Sequence, residues 1–376
     1  MASFEARLLI AGEQVAGEGA AIDVLNPATE EVLASVGSAS AAQLDAALAV
    51  AAEGQRAWYD TPATVRADAL HGIAAWLREH TDELADVMTR EIGKPLIENS
   101  DEVGWTAAAF DFYAELGRAS AGRVIPPIES TQLALVMKEP VGVVACIVPW
   151  NYPLLLLAWK LAPALAAGNA CVCKPSELTP LSTLMLAEAF AELPRGTVAL
   201  LAGAGDVGAQ LVDDERVDCV AFTGSVPTGQ SIATACAKRI ARVNLELGGK
   251  DPFIVCPDVA DEIEIVARGG AWAAYLNAGQ VCTSAERFYV HRDVYDDFVG
   301  HVVDHARSLR VGDPLAPGTD VGPMASAVQR AKVLDHLTGA VDAGAEILVG
   351  ARPAAATVGS FSSPQSSPAP RRRRRS

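Results

Sequence analysis

The chain has 376 residues, 50% of them apolar, and a formal net charge of −16 at pH 7. That is enough chain for two or three domains with buried cores. An acidic balance of this size gives no electrostatic basis for holding a nucleic-acid backbone or an anionic membrane surface.

The first residues carry no basic segment leading into an apolar run, so no secretory signal is read there. Helical periodicity dominates 41–118, where segments such as 41–58 and 66–91 alternate apolar and charged faces. A break at 119–127 is followed by strand-like alternation at 133–138, which predicts a hairpin over 119–139. The longest apolar stretch, 153–167, is interrupted by Lys160 and Pro163 and falls short of the roughly 20 residues that span a membrane. A soluble, cytoplasmic protein without a membrane partner is therefore expected.

From 141 onward short apolar runs at 141–148, 169–173, 197–202, 219–223 and 241–246 alternate with helical segments. That alternation predicts an α/β fold with a doubly wound parallel sheet, and 251–349 reads as a second α/β domain. After 350 the composition turns to Pro, Ser, Ala and Arg and ends in five arginines at 371–375. Such a segment buries too little apolar surface to order itself, so 351–376 is read as a disordered, solvated tail.

The chemistry-bearing candidates follow the predicted strands. GAGDVG at 203–208 has the G-x-G-x-x-G form, but the acidic ribose ligand that should follow about 20 residues later is missing, which makes it a weak cofactor signal. At 222–229 the run FTGSVPTG places Gly224, Gly229 and the capping residue Ser225 at the start of a helix, where backbone N–H groups and the helix dipole hold phosphate. Glu246, in ELGGK, precedes Cys282, in GQVCTS, by 36 residues. A carboxylate and an unpaired cysteine flanked by glycines fit a general base and a nucleophile. Glu246 also lies in an apolar run, where burying a carboxylate without a task is costly. The seven cysteines contain no C-x-x-C pair, so no metal site is read, and most of them sit in apolar runs as buried thiols.

Together with PWNYP at 149–153 and KPSE at 174–177, these segments resemble the aldehyde dehydrogenase superfamily. The resemblance implies an NAD-binding domain at 1–118 and 140–247, an oligomerisation hairpin at 119–139 and a catalytic domain at 248–350. It gives Cys282 the role of nucleophile toward an aldehyde, Asn151 that of oxyanion donor, and Glu246 that of base for hydrolysis of the thioester. It assigns the cofactor to Lys174, Ser176, Glu177, Gly224, Ser225, Gly229, Trp150 and Leu247, with Glu177 favouring NAD over NADP. The implied reaction oxidises a small-molecule aldehyde to a carboxylic acid in a homo-oligomer. The family's next motif, E-x-F-G-P, does not occur, and the sequence stops looking like the family at Ser362. The resemblance is thus to a member lacking about a quarter of the usual chain, its catalytic domain incomplete. Two alternatives remain open: an inactive fragment that keeps cofactor binding, and a CoA-acylating enzyme, which the glutamate at 246 disfavours.

Overall fold

The computed structural model describes residues 6–350 and the short strand Gln365–Ser366. The rest of the tail read as disordered at 351–376 lies outside the described residues. Gln365–Ser366 pairs antiparallel with Val349–Gly350. The chain divides into two compact units, one of Met1–Val24, Ala34–Leu84 and Ser100–Leu247, the other of Leu25–Leu33, Ala85–Asn99 and Gly248–Ser376.

The first unit is built on a seven-stranded sheet. Its order is Arg242–Leu247, Cys219–Gly224, Val143–Ile147, Ala170–Lys174, Val198–Leu200, Leu8–Ile10 and Glu13–Val15. The first five are parallel. Every residue of Val143–Ile147 and Ala170–Lys174 is buried, as parallel strands covered on both faces require. The chain fills outward from Val143–Ile147 to Val198–Leu200, then returns to lay Cys219–Gly224 on the opposite side. The expected doubly wound sheet is therefore present, with its switch point between Val143–Ile147 and Cys219–Gly224. An N-terminal hairpin extends it antiparallel at the Val198–Leu200 edge and makes it mixed.

The helical stretch read at 66–91 is two helices, Ala63–Glu79 and Thr81–Ile92. His80 breaks it. Its Nδ1 bonds the Trp76 carbonyl at 2.8 Å, and the Thr81 hydroxyl donates to the carbonyls of Leu77 and Arg78. The last turn of the first helix thereby finds partners outside a continuing helix. The segment predicted as a hairpin pairs Arg123–Ile125 with Ala134–Val136, and leaves Ile128 96% and Leu133 77% exposed.

The second unit pairs Asp251–Val255 with Ala285–Val290 in parallel. Its core gathers Val255, Ile263, Ala267, Val294 and Phe298, with the rings of Phe253 and Phe288 packed against it. The early segment 85–99 belongs here because Leu96 N–H bonds the Pro314 carbonyl at 3.0 Å, and Gly93, at φ +84°, nestles against Pro27 and Pro323. Among the described residues, no helix is long and apolar enough to cross a membrane.

Candidate functional site

In an open α/β sheet, ligands bind beyond the carboxyl ends of the strands at the switch point. There the first unit has a cleft of about 1220 Å³, walled by Ile147–Trp150, Lys174, Ser176, Glu177, Phe222–Ser225 and the two helices Gly205–Asp213 and Val226–Ala237.

Lys174 ends the buried strand Ala170–Lys174, and the residue is only 5% exposed. Nζ donates to the carbonyls of Pro175 at 2.8 Å and Gly203 at 2.7 Å. Burial pulls its pKa down, while Glu177 and Asp206 act in the opposite direction. The weak glycine motif has a definite place here. The Gly203 carbonyl holds Lys174, Gly205 opens a helix along the cleft, and a Cβ on Gly208 would stand 3.3 Å from Lys174 Cε. Gly205 and Gly208 are cleft residues that the sequence signalled and the residue assignment passed over. Ser176 Oγ accepts the Leu178 N–H at 3.2 Å, which orders the turn that carries the exposed Glu177 to the rim.

Ser225 caps the helix Val226–Ala237, accepting the Thr228 N–H at 3.3 Å. Pro227 has no N–H and that of Thr228 is taken, so this helix start offers fewer donors than a glycine-rich Rossmann turn, although its dipole remains. The two glycines differ. Gly224 lies on the cleft, and a Cβ there would meet the Phe222 ring at 2.4 Å. Gly229 is buried away from the cleft lining, where a Cβ would meet Leu247 Cδ2 at 2.7 Å. Gly229 and Leu247 are thus packed on each other, and neither lines the cleft.

Trp150 and Asn151 occupy the turn between Val143–Ile147 and the helix Pro153–Ala166, and Trp150 lines the cleft. The start of that helix is fixed by Glu102, which is fully buried and accepts the N–H groups of Leu154 and Leu155 at 3.0 and 3.1 Å. A carboxylate at a helix N-terminus complements the dipole. Buried Lys160, from the same helix, donates to Thr223 Oγ1 on the cleft wall. The sequence reading gave no role to Glu102 and took Lys160 only as an interruption of an apolar run. Glu246 pairs in register with Thr223 but is exposed, on the edge strand Arg242–Leu247. The expectation that it is a buried carboxylate is corrected: among the described residues its strand is paired on one side, at the end of the sheet.

Cys282 belongs to the second unit. Asn277, Ala278 and Gly279 stand in succession at φ +48°, +57° and +77°. Two non-glycine residues in the left-handed region mark a backbone held by its surroundings. The Ser284 N–H bonds the Val281 carbonyl at 3.2 Å, closing a turn with the half-buried Cys282 at its corner. The Ser284 hydroxyl donates to the carbonyl of Ala273 at 3.2 Å. Among the other cysteines, burial pushes the thiols of Cys171, Cys219 and Cys236 up and keeps them protonated, whereas Cys256 is exposed.

A model of the aldehyde dehydrogenase family matches residues 14–365. A solved structure described as an E. coli NADP dependent enzyme is 38% identical, with 96% of this chain and 76% of that one covered and a TM-score of 0.92. The structure of 3,6-anhydro-L-galactose dehydrogenase in complex with NAP is 36% identical, covering 96% and 77% at a TM-score of 0.91. A point mutant of betaine aldehyde dehydrogenase from Staphylococcus aureus, in complex with NAD+ and with a BME-modified cysteine, is 33% identical, covering 97% and 76% at 0.93. With the family pattern running through nearly the whole described chain and the same fold in these relatives, the chain belongs to the aldehyde dehydrogenase family.

Proposed function

We propose that the chain oxidises an aldehyde to a carboxylic acid, with the Cys282 thiolate as nucleophile and NAD as the favoured hydride acceptor. The observation that carries this reading is the turn that presents Cys282 three residues after a left-handed stretch of backbone, both closed by hydrogen bonds. A thiol fixed in direction is what addition to a carbonyl needs.

The residues of the cleft fit a dinucleotide. Trp150, Ser225 and the start of the helix Val226–Ala237 would hold the pyrophosphate, and Ser176, Glu177 and Lys174 the adenosine ribose. When bound, the nicotinamide supplies the acceptor for the hydride. An exposed carboxylate at 177 accepts hydrogen bonds from free ribose hydroxyls and repels a 2′-phosphate, which supports NAD over NADP.

The chain's own part is as follows. Sulfur adds to the carbonyl carbon, and the developing oxyanion is held by the Asn151 amide and the Cys282 N–H. Loss of hydride from that adduct leaves a thioester on Cys282. Glu246 takes a proton from the attacking water, and expulsion of the thiolate releases the acid.

The test is NADH formation by the purified chain from NAD and a panel of small aldehydes, beside Cys282→Ser. Turnover that needs Cys282 supports the reading. NAD binding without turnover would favour an inactive fragment, a reading motivated by the 76% of its relatives that the chain spans. Turnover that needs CoA and survives Glu246→Gln would identify an acylating enzyme.

A further inference from the structure

The left-handed run Asn277–Ala278–Gly279 poses a physical question: what keeps it there. Alanine rarely adopts positive φ, and Ala278 stands at φ 57°, ψ 28°. Hydrogen bonds hold both ends. On the Cys282 side, Gln280 Nε2 donates to the Asn277 carbonyl at 3.0 Å, while its Oε1 accepts the Ala325 N–H at 3.0 Å. On the other side, the Asn277 N–H donates to Glu98 Oε2 at 2.9 Å, across 179 residues of sequence. Asn277 is 1% exposed, so water does not offer that N–H a ready substitute.

Glu98 is itself set in place. It lies in the first turn of the helix Leu96–Arg118. The next residue, Asn99, is fully buried and donates through Nδ2 to Thr89 Oγ1 at 2.9 Å and to the Lys94 carbonyl at 3.0 Å. Leu96 N–H, one turn away, bonds Pro314. The carboxylate therefore projects from a braced helix start onto the first residue of the strained run.

We propose that Glu98 is a positioning residue for Cys282: its carboxylate holds the Asn277 N–H, fixes the left-handed run 277–279, and so sets the direction in which the thiol is presented. This rests on the reading of Cys282 as the nucleophile. Glutamine keeps an acceptor at the same reach and should substitute; alanine removes it.

The experiment is hydrogen exchange of the amides in 276–284, NAD affinity, and kcat for aldehyde oxidation in Glu98→Ala and Glu98→Gln. In Glu98→Ala, exchange in this segment rises about ten-fold and kcat falls about ten-fold, with NAD affinity unchanged. Glu98→Gln stays within a few-fold of the parent in all three. Unchanged exchange in Glu98→Ala, or equal acceleration in both variants, overturns the proposal. If Glu98→Ala does not fold, Glu98→Asp, with the same charge on a shorter stem, carries the test and should loosen 276–284; parental exchange there overturns it. Hydrogen exchange reads the hold of Glu98 whether or not the chain turns over, and Cys282→Ser separately tests the nucleophile, so the two failures are distinguishable.

Discussion

The carboxylate of Glu102 accepts the backbone N–H of Leu154 at 3.0 Å, tying the helix Leu96–Arg118 to the start of the helix that follows the Trp150–Asn151 turn. Removing it strands two buried N–H groups. Glu102→Ala should lower stability by about 2–4 kcal/mol and Glu102→Gln by clearly less, read as denaturation midpoints. Equal losses would mean that the acceptor is not what matters.

Space beside two cleft glycines differs sharply. A Cβ at Gly224 collides with the Phe222 ring, whereas one at Gly205 meets nothing within 4 Å. Gly224→Ala should cost about 1–3 kcal/mol and weaken NAD binding, because the ring must move. Gly205→Ala should be neutral or stabilising by up to about 1 kcal/mol. Thermal unfolding with and without NAD distinguishes the two.

Cofactor choice should turn on the exposed carboxylate at the cleft rim. On the proposed reading, Glu177→Gln removes a charge that would repel a 2′-phosphate and should raise the NADP to NAD affinity ratio about ten-fold, or ~1.4 kcal/mol. Titration with both cofactors measures it, and an unchanged ratio would remove Glu177 from the specificity argument.

On the first unit's surface, His71 bonds Glu115 at 2.8 Å and Asp111 at 2.6 Å, and these bonds raise its pKa. For Asp111, burial acts upward, but its bonds to Arg78 and His71 bring the net shift down. The His71 contribution is fully present below its ordinary pKa of about 6.5 and is lost as pH rises through the raised value. The carboxylate contribution of Asp111 is lost in acid, as pH falls through its depressed pKa. Solvent screening limits the His71 part to about 1 kcal/mol or less. His71→Gln should flatten the fall in Tm above about pH 6.5.

Ala278 reverses the usual effect of glycine. At φ 57° the Cβ is a burden, so Ala278→Gly should raise the unfolding midpoint, by up to about 1 kcal/mol once the added unfolded-state freedom is counted. A loss of stability would show that the run carries no strain.

The parallel strands were legible because buried parallel strands are written as unbroken apolar runs, as in 143–147 and 170–173. The N-terminal strands Leu8–Ile10 and Glu13–Val15 were not, since three residues carry no period. The division of 66–91 was hidden in side-chain bonds from His80 and Thr81. Glu98 and Glu102 read as the charged faces of a helix, because nothing in the sequence says which amide, 52 or 179 residues on, a carboxylate will meet. The glycines at 203–208 were visible, but their service to Lys174 requires the fold. Glu246 was seen as a carboxylate in an apolar run, and only the sheet order reveals that its strand lies at an edge.

Residues 85–99 belong to the unit whose remaining bulk begins at Gly248. Ribosomal synthesis therefore delivers Glu98 and its braced turn long before Asn277 or Pro314 exists to receive them. The nascent chain must carry that stretch without those partners until the residues from Gly248 onward have emerged. A gene fragment beginning at Gly248 would encode the Cys282 turn without the carboxylate that steadies it.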